Sequence, residues 1–181
     1  PNDLQLAYDQ TWGTGRIWTQ KDSLAENDLD YIAATFKYLA LGQDCKLIVL
    51  DHISFMVSDQ AGDERKMLDE IAHKLKHHAS TLDIHIAAVA HTKRTSGKSL
   101  EEGAQVHLSD LRGSAGLGQL SNIVMGLERN GQAENDTERN TTIVRVVKNR
   151  FCGRTGPATK LLYDENTGRM NETMENDNEE E

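Results

Sequence analysis

The sequence predicts an α/β fold, a mostly parallel sheet wound with helices, and three observations carry that expectation. Leu47-Ile-Val-Leu50 and Ile84-His-Ile-Ala-Ala-Val-Ala90 are short, nearly continuous apolar runs, the pattern of strands buried on both faces of a parallel sheet. Around them lie stretches with apolar residues at three-and-four spacing, so that helix, strand, helix and strand follow in turn. Both runs stop abruptly in polar residues, Asp51-His52 and His91-Thr92-Lys93-Arg94, and open α/β sheets bind ligands beyond the carboxyl ends of their strands.

The first helix is expected from Asp22-Ser23-Leu-Ala-Glu26, where Glu26 stands three residues after Ser23 as in a capping box. Leu29, Ile32, Ala33, Phe36, Leu39 and Ala40 then form one buried stripe, and Gly42 is a natural stop. Before that helix, Gly13 and Gly15 mark a turn leading to a short strand, Arg16-Ile-Trp-Thr19. A second helix carries Met67, Leu68, Ile71, Ala72, Leu75 and Ala79 inward. After a glycine-rich segment, strands are expected at Ile123-Val-Met-Gly-Leu-Glu-Arg129, Thr141 to Arg150 and Ala158 to Tyr163, the first two joined by a polar hairpin.

A length of 181 residues with 37% hydrophobic and 27% charged residues suits one soluble core, and no apolar run is long enough to span a membrane. The start, Pro1-Asn-Asp-Leu4, has neither Met nor a leader pattern and reads as part of something longer. Cys45 and Cys152 are far apart and outside any metal-ligand spacing, as expected of reduced thiols in the cytoplasm. The net charge of −9 is concentrated at the end: without the eight acids from Asp164 onward, and Arg169, 21 acids face 19 bases. The expected organisation is a lead-in at 1–15, a core at 16–169 and an acidic, disordered tail at 170–181.

Four features carry chemistry. Asp51, at a strand tip, is placed to hold Mg²⁺ near a nucleotide, although an acid there also simply begins a loop. His91, delivered by the neighbouring strand, is placed to report a terminal phosphate through a hydrogen bond; its plain alternative is a loop histidine. Lys93, Arg94 and Lys98 lie in a segment without apolar periodicity, as in a loop that touches a nucleic-acid backbone or one that is merely solvated. Lys148 and Arg150, two apart in a strand, emerge on one face and suit an anion or a charge-protected edge. Ser96-Gly97-Lys98-Ser99 imitates the end of a phosphate-binding P-loop, but Thr92 stands where the first glycine belongs, so the chain holds no P-loop.

In their order and spacing, Leu47-Ile-Val-Leu-Asp51-His-Ile-Ser, Asp63-Glu-Arg-Lys-Met, His91, Asp110-Leu-Arg-Gly-Ser, Gln119-Leu-Ser, Leu127-Glu-Arg129-Asn, Lys148-Asn-Arg150-Phe and Thr155-Gly156 resemble the C-terminal, RecA-like ATPase domain of ring-shaped DnaB-type replicative helicases. The resemblance is nearest to the primase-helicases of short-tailed phages and their mitochondrial relative, and covers most of residues 11 to 170.

That resemblance implies a Mg²⁺-dependent ATP or dTTP motor that unwinds DNA as a homo-oligomeric ring, a hexamer in the family, in the cytoplasm of a phage-infected bacterium. It implies that Asp51 is the metal-binding acid, that His91 and Gln119 sense the nucleotide, and that Arg150 with Lys148 reaches into a neighbouring subunit as an arginine finger. It makes Arg129 and Tyr163 the two walls around the base, Lys93, Arg94 and Lys98 the contacts to single-stranded DNA, and the tail a docking segment for the replicative polymerase. The family's P-loop and catalytic glutamate lie upstream of the matched residues, so this stretch alone is expected to be inactive. Two rivals stand beside this reading: another RecA-type ATPase, such as a recombinase or loader, and a DNA-binding module that has lost its P-loop.

Overall fold

In the computed structural model, residues 2–19, 29–57, 64–93, 99–111 and 115–173 are described. They divide into two units, Pro1–Ala61 with Lys74–Val89, and Gly62–His73 with Ala90–Glu181.

In the first unit the predicted apolar stripe becomes helix α2 (Leu29–Lys37), numbered after a short helix α1 (Asn2–Gln10), and α2 continues into a wider turn, Tyr38–Gly42. Phe36 and Ala40 from this stripe are buried with Ile48 and Ile84, and Ile32, Leu39, Leu75, Leu82 and Ile86 pack around them. Ile48 lies in β1 (Leu47–Leu50), which pairs in parallel with β2 (His85–Ala88), Leu47 opposite His85 through Leu50 opposite Ala88. Helix α3 (Glu64–Thr81) connects the two strands in sequence, and its residues from Lys74 on belong to this unit.

Two expectations are corrected here. The apolar run of β1 is buried on one face only: Ile48 is 7% exposed, whereas Leu47 and Val49 are 61% and 66% exposed, because the packed cluster covers one side of the pleat. Residues 16 to 19 form no strand, since no neighbouring strand among the described residues offers them a ladder; α1, which was not anticipated, precedes them. The capping box at Ser23 lies outside the described residues.

The second unit is a four-stranded antiparallel sheet in the order β3 (Ile123–Arg129), β4 (Thr141–Asn149), β5 (Gly156–Asp164) and β6 (Arg169–Glu172). One face of β3 is closed by Val106, which lies so near Gly126 that a Cβ there would sit 2.9 Å from the Val106 Cβ; glycine is needed for that approach. Helix α4 (Ala115–Leu120) precedes β3, and α5 (Asp136–Asn140) fills the β3–β4 hairpin, capped by Asn135, whose side chain accepts the Glu138 N–H. The parallel component of the fold is therefore β1 with β2, and the rest of the described strands form an antiparallel meander. Strand β6 runs past the boundary expected for the tail, and residues 174–181 lie outside the described residues. No helix among the described residues is long and apolar enough to cross a membrane.

Candidate nucleotide and DNA sites

Asp51 follows β1 directly and is exposed; its peptide bond to His52 is cis. Past β2, the Val89 N–H donates to the Leu50 carbonyl at 2.9 Å, and the Ile53 N–H donates to the Val89 carbonyl at 2.9 Å. With Ile53 buried as an anchor, these bonds hold the segment after β1 against the end of β2, so Asp51 stands at the carboxyl end of a parallel pair as its sequence position predicted. Among the described residues no cluster of three or more His, Cys, Asp or Glu is arranged to hold a metal. A single accessible carboxylate nevertheless fits Mg²⁺, which commonly takes one or two protein carboxylates and completes its shell with phosphate and water.

His91 is exposed and belongs to the second unit. Thr92 bridges to Leu111, and the Lys93 N–H donates to the Asp110 carbonyl at 2.8 Å, which fixes where the Lys93 side chain enters solvent. Asp110 is buried at the end of a 3-10 turn, Leu108–Asp110, and its carboxylate accepts the His107 N–H at 2.8 Å. Arg94 and Lys98 lie outside the described residues.

Gln119 and Lys148 are brought together. Lys148 Nζ donates to the Gly118 carbonyl at 2.7 Å and to the Gln119 carbonyl at 2.9 Å, satisfying the open end of α4 with a cation placed where a helix favours one. Arg150 continues the line of β4: its N–H donates to the Asn122 carbonyl at 2.8 Å, while its side chain is exposed.

Arg129 and Tyr163 share one face of the sheet. Arg129 stands opposite Thr142, Thr142 opposite Leu161, and Tyr163 is two residues beyond Leu161, so two strand spacings across and about 7 Å along the strand, roughly 12 Å in all, separate their backbones. Arg129 is oriented by donating from Nε to the Arg139 carbonyl at 2.6 Å and from Nη2 to the Asn140 side-chain oxygen at 3.3 Å. Asn140 in turn donates to Glu165 at 2.9 Å, in the hairpin that follows Tyr163. In that hairpin the Thr167 hydroxyl and the Asn166 N–H hold the Asp164 carboxyl below its ordinary pKa.

Sequence reading missed a buried ion pair. Glu128 accepts from Arg145 Nε at 2.6 Å and Nη2 at 3.1 Å, and its Oε1 also accepts the Val106 N–H at 2.8 Å. The apolar side chains of the strand, Ile123, Met125 and Leu127, lie on its opposite, exposed face. The available signal was Gly126, two positions before Glu128, together with an opposite charge in the next strand.

The described chain thus holds a parallel strand pair with an acid at its tip and, in its second unit, an antiparallel meander that carries Arg129, Lys148 and, just past its second strand, Arg150. Two solved structures share the fold. One, described as the ATPase domain of a larger protein, aligns with a TM-score of 0.59 and 22% identity over 75% of this chain and 50% of that one. The other, a DnaB-like replicative helicase studied for its interactions with primase, aligns with a TM-score of 0.62 and 21% identity over 78% and 34%. Residues 17–172 match the family model of the DnaB-like helicase C-terminal domain, and the chain belongs to that family. It is 40% identical over 163 residues to a DNA helicase/primase of Enterobacteria phage T3. The match takes in 89% of this chain and 28% of that relative's length.

Proposed function

We propose that this chain is the C-terminal motor portion of a phage replicative helicase, which in its intact, ring-shaped form hydrolyses ATP or dTTP with Mg²⁺ and moves along single-stranded DNA. The P-loop and catalytic glutamate come from elsewhere in the intact protein, since the sequence holds no P-loop. Asp51 would hold the Mg²⁺, which when bound would neutralise charge on the nucleotide phosphates. His91 and Gln119 sense the nucleotide, Arg129 and Tyr163 flank its base, and Lys93, with Arg94 and Lys98, contacts the DNA backbone. The ring is a hexamer, it works in the cytoplasm of an infected bacterium, and its acidic tail engages the replicative polymerase; deletion of residues 174–181 is expected to abolish co-purification of the two.

The observation that carries the reading is the placement of Arg150. Its backbone is tied to Asn122 and its side chain is exposed, so the guanidinium is free to serve a neighbouring subunit, while Lys148 beside it is engaged with the end of α4. An arginine lent in trans stabilises charge developing on the transferred phosphoryl group and is typically worth ~10³-fold or more in turnover. Arg150→Ala in the intact protein is expected to abolish DNA-stimulated hydrolysis with nucleotide affinity retained. Mixed rings should lose activity faster than in proportion to the mutant fraction, and unchanged turnover in the pure variant refutes the assignment.

A further inference from the structure

Among the described residues, Glu128 is the most deeply buried acid of the second unit, and its bonds lead to Lys93. Its Oε1 accepts the Val106 N–H at 2.8 Å, while Arg145, bound to both of its oxygens, prevents it from turning away. Val106 is also wedged against Gly126, so backbone and side chain are both fixed on β3. From Val106 the chain enters the turn in which the His107 N–H donates to the Asp110 carboxylate and the Asp110 N–H to the His107 carbonyl at 2.9 Å. The Asp110 carbonyl then accepts the Lys93 N–H, and Thr92 pairs with Leu111. Glu102 bridges to Asn130, and the Gly131 N–H donates to the Glu101 carbonyl at 2.9 Å.

We propose that Glu128 is a positioning residue for single-stranded DNA: by pinning Val106 to β3, it sets the turn on which Lys93 is mounted and presents that ammonium to the phosphate backbone in a fixed place. The proposal rests on the reading that Lys93 contacts DNA. Glu128 is 5% exposed and touches no ligand; it acts by lowering the ordering that Lys93 would otherwise undergo on binding.

The test uses the intact protein and a fluorescent oligothymidylate, with nucleotide affinity measured in parallel. Replacing both partners (Glu128→Leu with Arg145→Leu) removes the pair without leaving a buried charge, an exchange that folded proteins commonly tolerate. The double variant is expected to bind DNA roughly five- to ten-fold more weakly, with nucleotide affinity within about two-fold of the parent, since each side chain ordered on binding costs about that factor. Hydrogen exchange at the Val106 amide should accelerate. Glu128→Gln keeps an oxygen for Val106 and Arg145 Nε, and is expected to retain DNA affinity. Equal loss of DNA and nucleotide binding in the double variant would indicate general damage and overturn the proposal, as would parental DNA affinity. Lys93→Ala separates the two levels: if it leaves DNA affinity unchanged, the assignment of Lys93 falls and the proposal with it. If Lys93→Ala weakens binding while the leucine pair does not, Glu128 alone loses its role.

Discussion

His78 shows how a single side chain sets a condition on the fold. It lies in the second half of α3 with its ring edge-on to Phe36, the centroids 6.2 Å apart, and its Nδ1 is buried without a hydrogen-bond partner among the described residues. Burial, and then the nearby charges of His77, Lys37 and Lys74, lower its pKa from the ordinary 6.5. The folded chain thus favours the neutral ring, while the unfolded chain takes up a proton first as the solution becomes acidic. The stabilisation is complete above 6.5 and is lost as pH falls toward the lowered folded value. Acidifying from about pH 7.5 to about pH 5.5 is expected to lower the urea midpoint, and His78→Met should make it less sensitive to pH. An equal acid shift in parent and variant would exclude His78 as the source. At the same scale, the role of Glu128 is a matter of partners: an acid with three donors aimed at it can stay buried where an unpaired one could not.

At the level of elements, helices α2 and α3 were legible because their periodicity survives as packing. Phe36, Ala40, Leu68, Ile71 and Ala72, all on predicted stripes, are buried. Strands β1 to β5 were legible as apolar or β-branched runs bounded by turn residues. Helix α1 and helix α5 were not: α1 buries none of its residues, and α5 is a five-residue helix inside a polar hairpin, held by the Asn135 cap. Neither owes its existence to an apolar stripe, the signal that sequence reading uses. The candidate site was legible where a residue's place follows from its strand, as with Asp51 beyond β1 and Arg129 at the end of β3. It was not legible where a side chain folds back onto the backbone of another element. Lys148 looked like half of an exposed cation pair with Arg150, yet it closes the end of α4; nothing in local spacing announces a contact across 30 residues.

At the scale of the whole molecule, each unit closes one side of its sheet and leaves the other bare. In the first, Leu47, Val49 and Val89 are exposed beside β2, whose one pairing partner among the described strands is β1. In the second, β3 is the end strand of its sheet, and it exposes Ile123, Met125 and Leu127, the last two at 65% and 70%. An open edge next to an apolar face is a template for pairing with another chain, and stable monomers usually blunt such edges. Of the two charges in β3, Glu128 sits on the covered face, bound to Arg145 and Val106, and Arg129 stands only at the strand's end, turned to Arg139 and Asn140. Expressed alone, the 181 residues are therefore expected to self-associate as concentration rises. Met125→Thr with Leu127→Thr introduces β-branched strand formers while reducing the apolar face, and should shift sedimentation-velocity profiles toward monomer with the circular dichroism of the fold retained. Self-association that is unchanged by the two threonines would place the sticky surface elsewhere. A parent that stays monomeric at high concentration would mean that the exposed face of β3 needs no cover.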